Sequence, residues 1–161
     1  MVSSRSVSSP MDPNSKLSIS DSSPPCDASL YRQMVGSLIW LTHTRLDIAF
    51  SAGVLGSFSA KPLTSHLHAV RRVLRYLNAT PHRSILYGRG STLVGYSDSD
   101  WAGDIDNRRS TPGFCFTLGS GAVSWSSKKQ PTVALSSTEA EYRAACSAAT
   151  EAIWLRRLLA E

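Results

Sequence analysis

The sequence predicts an α+β chain: a small helical region first, then three strands and one long closing helix. Two periodicities and one capping pattern predict it. Apolar residues recur at helical spacing from Tyr31 to Leu77. Alternation replaces that spacing from Thr92 to Trp125. Ser136 then stands three residues before Glu139 at the head of an alanine-rich stretch, the sequence form of a capping box.

At 161 residues the chain suits one ordinary domain or two small ones. A net charge of +5 is a modest basic excess, compatible with a nucleic-acid partner without requiring one. Cys26, Cys115 and Cys146 are far apart and match no zinc spacing, so they read as buried free thiols in a reducing compartment. No apolar run is long enough to span a membrane. The opening Met1-Val2-Ser3-Ser4-Arg5 lacks the apolar core of a secretory signal. The expectation is an intracellular chain, in cytoplasm or nucleus, with no membrane partner.

Residues 1–28 are rich in Ser, Pro and Asp without a period, which predicts a disordered or surface-hugging arm. Within it Pro10-Met11-Asp12-Pro13-Asn14 is turn chemistry. Asp27 or Ser29 caps a first helix, whose apolar face is Tyr31, Val35, Leu38 and Leu41 or Thr42. Asp47 is placed to cap a second helix, with Ile48, Ala52, Leu55 and Phe58 on its apolar face. Thr64 or Ser65 caps a third, which runs to about Leu77 and buries Leu67, Val70, Val73, Leu74 and Leu77.

The third helix carries a second stripe. His68, Arg71, Arg72 and Arg75 fall at i, i+3, i+4 and i+7, away from the apolar side. No acid is interleaved to form ion pairs along the helix. The stripe reads either as a solvated face or as a match for a phosphate backbone.

Ser84-Ile85-Leu86-Tyr87 reads as a short strand. Thr92 to Ser99 reads as a full one, with Leu93, Gly95 and Ser97 on one face and Val94, Tyr96 and Asp98 on the other. A polar loop spans Asp100 to Thr111. A strand starts at Pro112 and continues through Phe114, Phe116 and Leu118. Gly119-Ser120-Gly121 turns the chain into a third strand containing Val123 and Trp125. In the closing helix, Glu141 shares a face with Ala145, Ala148, Ala152 and Leu155. Small residues there let the helix sit close to the sheet, and a carboxylate on that face needs a partner.

Asp98 near a strand end and Glu141 on the covering helix are therefore candidate metal ligands. Oxygen ligands so placed suit Mg²⁺. Two such ions about 4 Å apart activate water and stabilise the leaving oxygen in phosphodiester cleavage. The same residue types also fit a plain reading. Asp98, Asp100, Asp104 and Asp106 are then solvated loop acids, and Glu141 meets a basic neighbour. Other chemistries find less support. The four His residues have no metal-ligand spacing, no serine sits in a nucleophile elbow, and no glycine-rich phosphate loop is present. Trp40, Trp101, Trp125 and Trp154 read as core or interface aromatics.

Nearly the whole chain resembles the pol polyprotein of plant copia-type LTR retrotransposons. The resemblance is carried by Pro10-Met11-Asp12-Pro13-Asn14-Ser15-Lys16-Leu17, Tyr31-Arg32-Gln33-Met34-Val35-Gly36-Ser37-Leu38 and Thr44-Arg45-Leu46-Asp47-Ile48-Ala49. It continues in Leu74-Arg75-Tyr76-Leu77, in Gly95-Tyr96-Ser97-Asp98-Ser99-Asp100-Trp101-Ala102-Gly103-Asp104 and in Ser124-Trp125-Ser126-Ser127-Lys128-Lys129-Gln130. Ser136-Ser137-Thr138-Glu139-Ala140-Glu141-Tyr142 completes it.

The resemblance implies three parts: an arm over 1–28, the end of a reverse transcriptase over 29–90, thumb- or connection-like, and a truncated RNase H-like domain over 91–161. It implies that Asp98 and Glu141 descend from ligands of catalytic Mg²⁺, that the Arg71, Arg72 and Arg75 stripe is a relic of template–primer contact, and that the nucleic-acid-binding residues are His68, Arg71, Arg72 and Arg75. In the family the polymerase aspartates precede this stretch, and a strand with a third metal-binding Asp and a fourth acidic position follow the closing helix, so the resemblance implies that this chain lacks half of the expected metal ligands. Leu46 stands where the family usually has proline, and Pro112 where serine is common. The expectation is a pol fragment that is catalytically inactive alone and binds an RNA–DNA hybrid or other nucleic acid weakly. Self-association through the exposed sheet edge is a further expectation. The alternatives are a metal-dependent RNase H completed by another chain, and a repurposed nucleic-acid or protein binding module.

Overall fold

The computed structural model describes residues 5–12 and 16–161. Met1 to Ser4 of the opening segment, and Pro13 and Asn14 of the expected turn, lie outside the described residues. The architecture is α+β, in two compact units, Met1–Ser84 and Ile85–Glu161.

The first unit is helical. Helix α1 (Ala28–Leu41) starts where the sequence places it, because the Asp27 carboxylate accepts from the Ser29 and Leu30 N–H groups at 2.8 and 3.1 Å. A 3-10 turn (Leu46–Ile48) leads into α2 (Ala49–Gly56), and α3 spans Thr64–Ala79. Tyr31, Val35, Leu38, Ile48, Ala52, Leu55 and Phe58 meet Leu67, Val70, Val73 and Tyr76 in one core. Deep burial of such side chains contributes about 1.5–3 kcal/mol each.

Two of the expected caps are used otherwise. Asp47 does not cap α2. Its carboxylate takes both forks of Arg45 at 2.9 Å each, and the Tyr76 hydroxyl at 2.7 Å. Arg45 also donates to the Thr80 carbonyl and hydroxyl at the end of α3. A bidentate charge pair is a stronger use of the carboxylate than a cap on an eight-residue helix. At α3 the N-cap position is Leu63, and neither Thr64 nor Ser65 serves. His66 supplies the acceptor instead: its Nδ1 takes the Leu63 N–H at 3.1 Å. That leaves Nε2 to donate to the Ser18 carbonyl at 3.0 Å, with the ring stacked on Phe58.

The described arm residues lie against these helices. Val7, Met11, Leu17 and Cys26 pack on the core. The Thr64 hydroxyl and N–H both donate to the Pro24 carbonyl, and the Cys26 N–H donates to that of Pro62.

The second unit is a three-stranded antiparallel sheet, order β1-β2-β3, with one helix. Its strands are β1 (Leu93–Ser99), β2 (Pro112–Leu118) and β3 (Gly121–Ser127), and α4 is Ser137–Leu158. Ser84–Tyr87, expected as a strand, is irregular. Its contacts go to the β2–β3 turn: the Tyr87 hydroxyl donates to Ala122 O and the Gly88 N–H to Ser120 Oγ. Gly119 makes that turn at φ +59, a conformation glycine adopts without strain.

Ser136 caps α4 by accepting the Glu139 N–H at 3.1 Å, while Glu139 reaches back to the Leu135 N–H at 2.7 Å. The box closes one residue earlier than its simplest form. All three cysteines are free, but only Cys26 and Cys115 are half-buried. Cys146 is exposed because it lies off the covered face of α4. The tryptophans are not core residues either: Trp40 is 77 % exposed, Trp101 and Trp154 are exposed, and Trp125 is half-buried.

Candidate functional site

The register fixes which face of the sheet each candidate occupies. Gly95 pairs with Phe116, and Phe116 with Ser124, so their side chains share one face. A Cβ on Gly95 would run into the Phe116 ring, which lies across it. Phe116 is buried, and Ser124 donates to Glu151 of α4 at 2.6 Å. That is the face α4 covers. Small buried residues on both elements, Ser99 at the end of β1 and Ala140 and Ala144 on α4, suit close packing of helix and sheet.

Asp98 belongs to the other set, with Val94 and Tyr96, on the uncovered face. It is exposed, pairs across the ladder with Gly113, and accepts the Ser99 N–H at 2.8 Å. Glu141 is exposed too. The residues α4 turns inward are Ala140, Ala144, Ala148, Glu151 and Leu155, at i, i+4, i+8, i+11 and i+15. Glu141 and Ala145 are one position off that line. Asp98 and Glu141 are thus both exposed, and neither lies on the packed face between sheet and helix. The carboxylate on the packed face is Glu151, and Ser124 satisfies it.

The remaining acids of the segment 95–104 hold a loop. Asp100 accepts the Thr111 N–H and packs so closely on Gly103 that a Cβ there would collide with it. Asp104 pairs with Lys129 and accepts the N–H groups of Asp106 and Asn107 at 2.8 and 3.1 Å. Burial opposes the charged form of Asp104, but the Lys129 bond and the two amides outweigh it, so its carboxyl titrates below its ordinary value. Ser110, fully buried, receives the Ala102 N–H, and the Gln130 N–H donates to the Ser110 carbonyl. The Gln130 side chain then donates to Ala140 O at the start of α4. The loop, the segment after β3 and the start of α4 are thus tied by Asp104, Ser110, Lys129 and Gln130. Asp104 with Asn107 three residues on is a turn signal, but nothing in the spacing points from Asp104 to Lys129. Among the described residues, no three His, Cys, Asp or Glu side chains are grouped to hold a metal ion.

In the helical unit the basic stripe is divided. His68 and Arg71 are exposed, and Arg75 is half-buried. Arg72 is drawn under the arm, where its Nη2 donates to Ser9 Oγ at 3.1 Å. No helix among the described residues is long and apolar enough to cross a membrane.

Comparison with known proteins places the chain. It is 44 % identical, over its whole length, to the retrovirus-related Pol polyprotein from transposon RE1 of Arabidopsis thaliana, of which it covers 11 %. Against the Pol polyprotein from transposon TNT 1-94 of Nicotiana tabacum it is 47 % identical over 81 % of the chain and 10 % of that protein. It is also 52 % identical, over 78 % of its length, to secreted RxLR effector protein 161 of Plasmopara viticola, of which it covers 90 %. No family model and no solved structure matches. The chain spans about a tenth of the length of the two Pol polyproteins. It belongs to the copia-type, retrovirus-related Pol polyproteins of plant transposons.

Proposed function

We propose that residues 85–161 are the first half of an RNase H-like domain, that the helical unit is the end of a reverse transcriptase, and that this chain alone does not hydrolyse RNA. The fold reading is supported by family membership and by the order of elements: an antiparallel β1-β2-β3 meander, then one long helix, with an acid at the end of the first strand. The observation that carries the inactivity is the placement of the two acids. Asp98 is on the sheet face that α4 leaves uncovered, and Glu141 lies off the packed face of α4.

Mg²⁺ demands near-octahedral order and gives up its water reluctantly. Two ions at catalytic separation need several fixed oxygens. Asp98 and Glu141, both exposed and each on its own surface, do not fit such a site within this chain. The test is cleavage of an RNA–DNA hybrid in Mg²⁺ or Mn²⁺ by the parent and by a D98N/E141Q double variant. The expected result is no difference between them. Cleavage by the parent that the variant lacks overturns the reading and points to ligands supplied by a second chain.

A second reading has its own observation. His68 and Arg71 present an exposed basic row on α3, which suits weak, sequence-independent contact with a phosphate backbone. The relative this chain covers almost fully is named an effector rather than a polyprotein. That supports use of the same stretch as a binding module outside a polyprotein.

A further inference from the structure

Among the polar contacts between the N-terminal arm and the basic helix, the one between Ser9 and Arg72 is half made. Arg72 Nη2 donates to Ser9 Oγ at 3.1 Å, while the Ser9 hydroxyl donates to Met11 O at 3.1 Å. The other edge of the guanidinium, Arg72 Nε, is buried and meets no acceptor among the described residues. A buried N–H without an acceptor is destabilising. The Ser9 hydroxyl oxygen, as placed, accepts from Nη2 alone. A tetrahedral oxyanion on the same atom has the right span, because its oxygens accept Nε–H and Nη2–H in parallel.

The sequence around Ser9 is one that a phosphoryl-transferring enzyme reads. Ser9 precedes Pro10, which biases the serine toward extended backbone. Residues 5–12 carry no helix or strand, and Ser9 is half-buried, so the arm enters a kinase groove by lifting from the helices without unfolding an element. Ser23-Pro24 is the chain's other Ser-Pro pair, and its surroundings are the opposite. The Ser23 hydroxyl donates to the Asp21 carboxylate at 3.0 Å, where a phosphate would meet like charge.

We propose that Ser9 is a phosphorylation site whose phosphate is received by Arg72, locking the arm onto α3. Ser9 Oγ attacks the γ-phosphorus of a nucleoside triphosphate held by a proline-directed protein kinase. The new Oγ–P bond replaces the bond to the β-phosphate, the hydroxyl proton passes to the kinase's base, and the nucleoside diphosphate leaves. The phosphoserine loses the hydroxyl's bond to Met11 O and gains two charge-assisted bonds to Arg72. It also brings a dianion to the row, reducing its net positive charge.

The experiment encodes phosphoserine at position 9 or at position 23 in the full chain and follows each phosphate by ³¹P NMR through its second ionisation, ordinarily near pH 6. A guanidinium fork holds the dianion, so phosphoserine 9 should titrate at least about half a unit below phosphoserine 23. Arg72→Gln should raise the phosphoserine 9 value to the ordinary one, and Arg72→Lys should raise it only part of the way. Thermal unfolding gives a second readout: phosphate at position 9 should raise Tm by about 4 °C or more, and phosphate at position 23 should not. Equal titration of the two phosphates in the parent overturns the proposal whatever the variants do. So does a low value at position 9 that persists in Arg72→Gln.

Discussion

Among single residues, Asp47 shows how a local rule loses to a stronger partner. The sequence places it where a helix cap is expected, yet its carboxylate is taken by Arg45 and Tyr76, both largely buried. Burial raises its pKa, but the bonds from Arg45 and Tyr76 outweigh that, so the carboxyl titrates below its ordinary 3.8. A depressed carboxyl stabilises the fold above its unfolded value, and that stability is lost as pH falls through the folded value. Asp47→Asn keeps the shape and strands the Arg45 guanidinium, so it should destabilise the helical unit by about 2–4 kcal/mol at neutral pH. Denaturant unfolding of parent and variant at several pH values checks this. The gap between them should narrow as pH drops below 3.8. A gap that is constant with pH means that lost shape, not lost charge, is responsible.

At the level of elements, the helices and strands were legible because their periods are strong, while the facing of α4 was not. Asp27 and Ser136 announce their helices from sequence alone, and both cap as read. In α4, alanines occupy two adjacent lines, 140-144-148 and 145-148-152, and periodicity cannot choose between lines equally rich in small residues. The choice is made by Ser124 on β3, which meets Glu151 and so turns the 140-144-148 line inward. Glu141 is outward for that reason. The stripe on α3 was legible as a stripe but not as a divided one, because the contact between Ser9 and Arg72 joins positions 63 residues apart. The division makes a prediction about salt. Each cation that neutralises a phosphate contributes about 0.9 to the slope of log affinity against log salt on duplex DNA. Arg71→Ala should flatten that slope for an RNA–DNA hybrid by about one, whereas Arg72→Ala, already engaged by the arm, should change it less. Filter binding or fluorescence anisotropy from about 50 to 200 mM salt gives both slopes. Equal slopes for parent and Arg71→Ala return the row to a solvated face.

On the scale of the whole chain, the sheet of the second unit ends in two edges that are not equivalent. β3 pairs with β2 through a register shift at Phe116/Thr117, and such an irregularity bends and twists the edge it forms. β1 pairs with β2 without a break over seven residues, Leu93–Ser99, and carries no proline and no lysine. A regular edge with little charge is a template for another strand. Asp98, near its end, is the one charge present. The face beside that edge is uncovered and apolar, with Val94, Val123 and Tyr96 exposed, Tyr96 by 66 %. An edge that offers unpaired backbone groups beside an apolar face gains from antiparallel pairing with the same strand of a second copy, because the ladder and the face are buried together. The purified chain should therefore self-associate as its concentration rises through the micromolar range, read as a shift to faster boundaries in sedimentation velocity. Tyr96→Lys places a charge on that face without touching the side α4 covers, and should return the chain to monomer with its helical content unchanged by circular dichroism. A parent that sediments as one monomeric species at every concentration removes β1 as an interface. A variant that associates as strongly as the parent moves the interface elsewhere on the molecule.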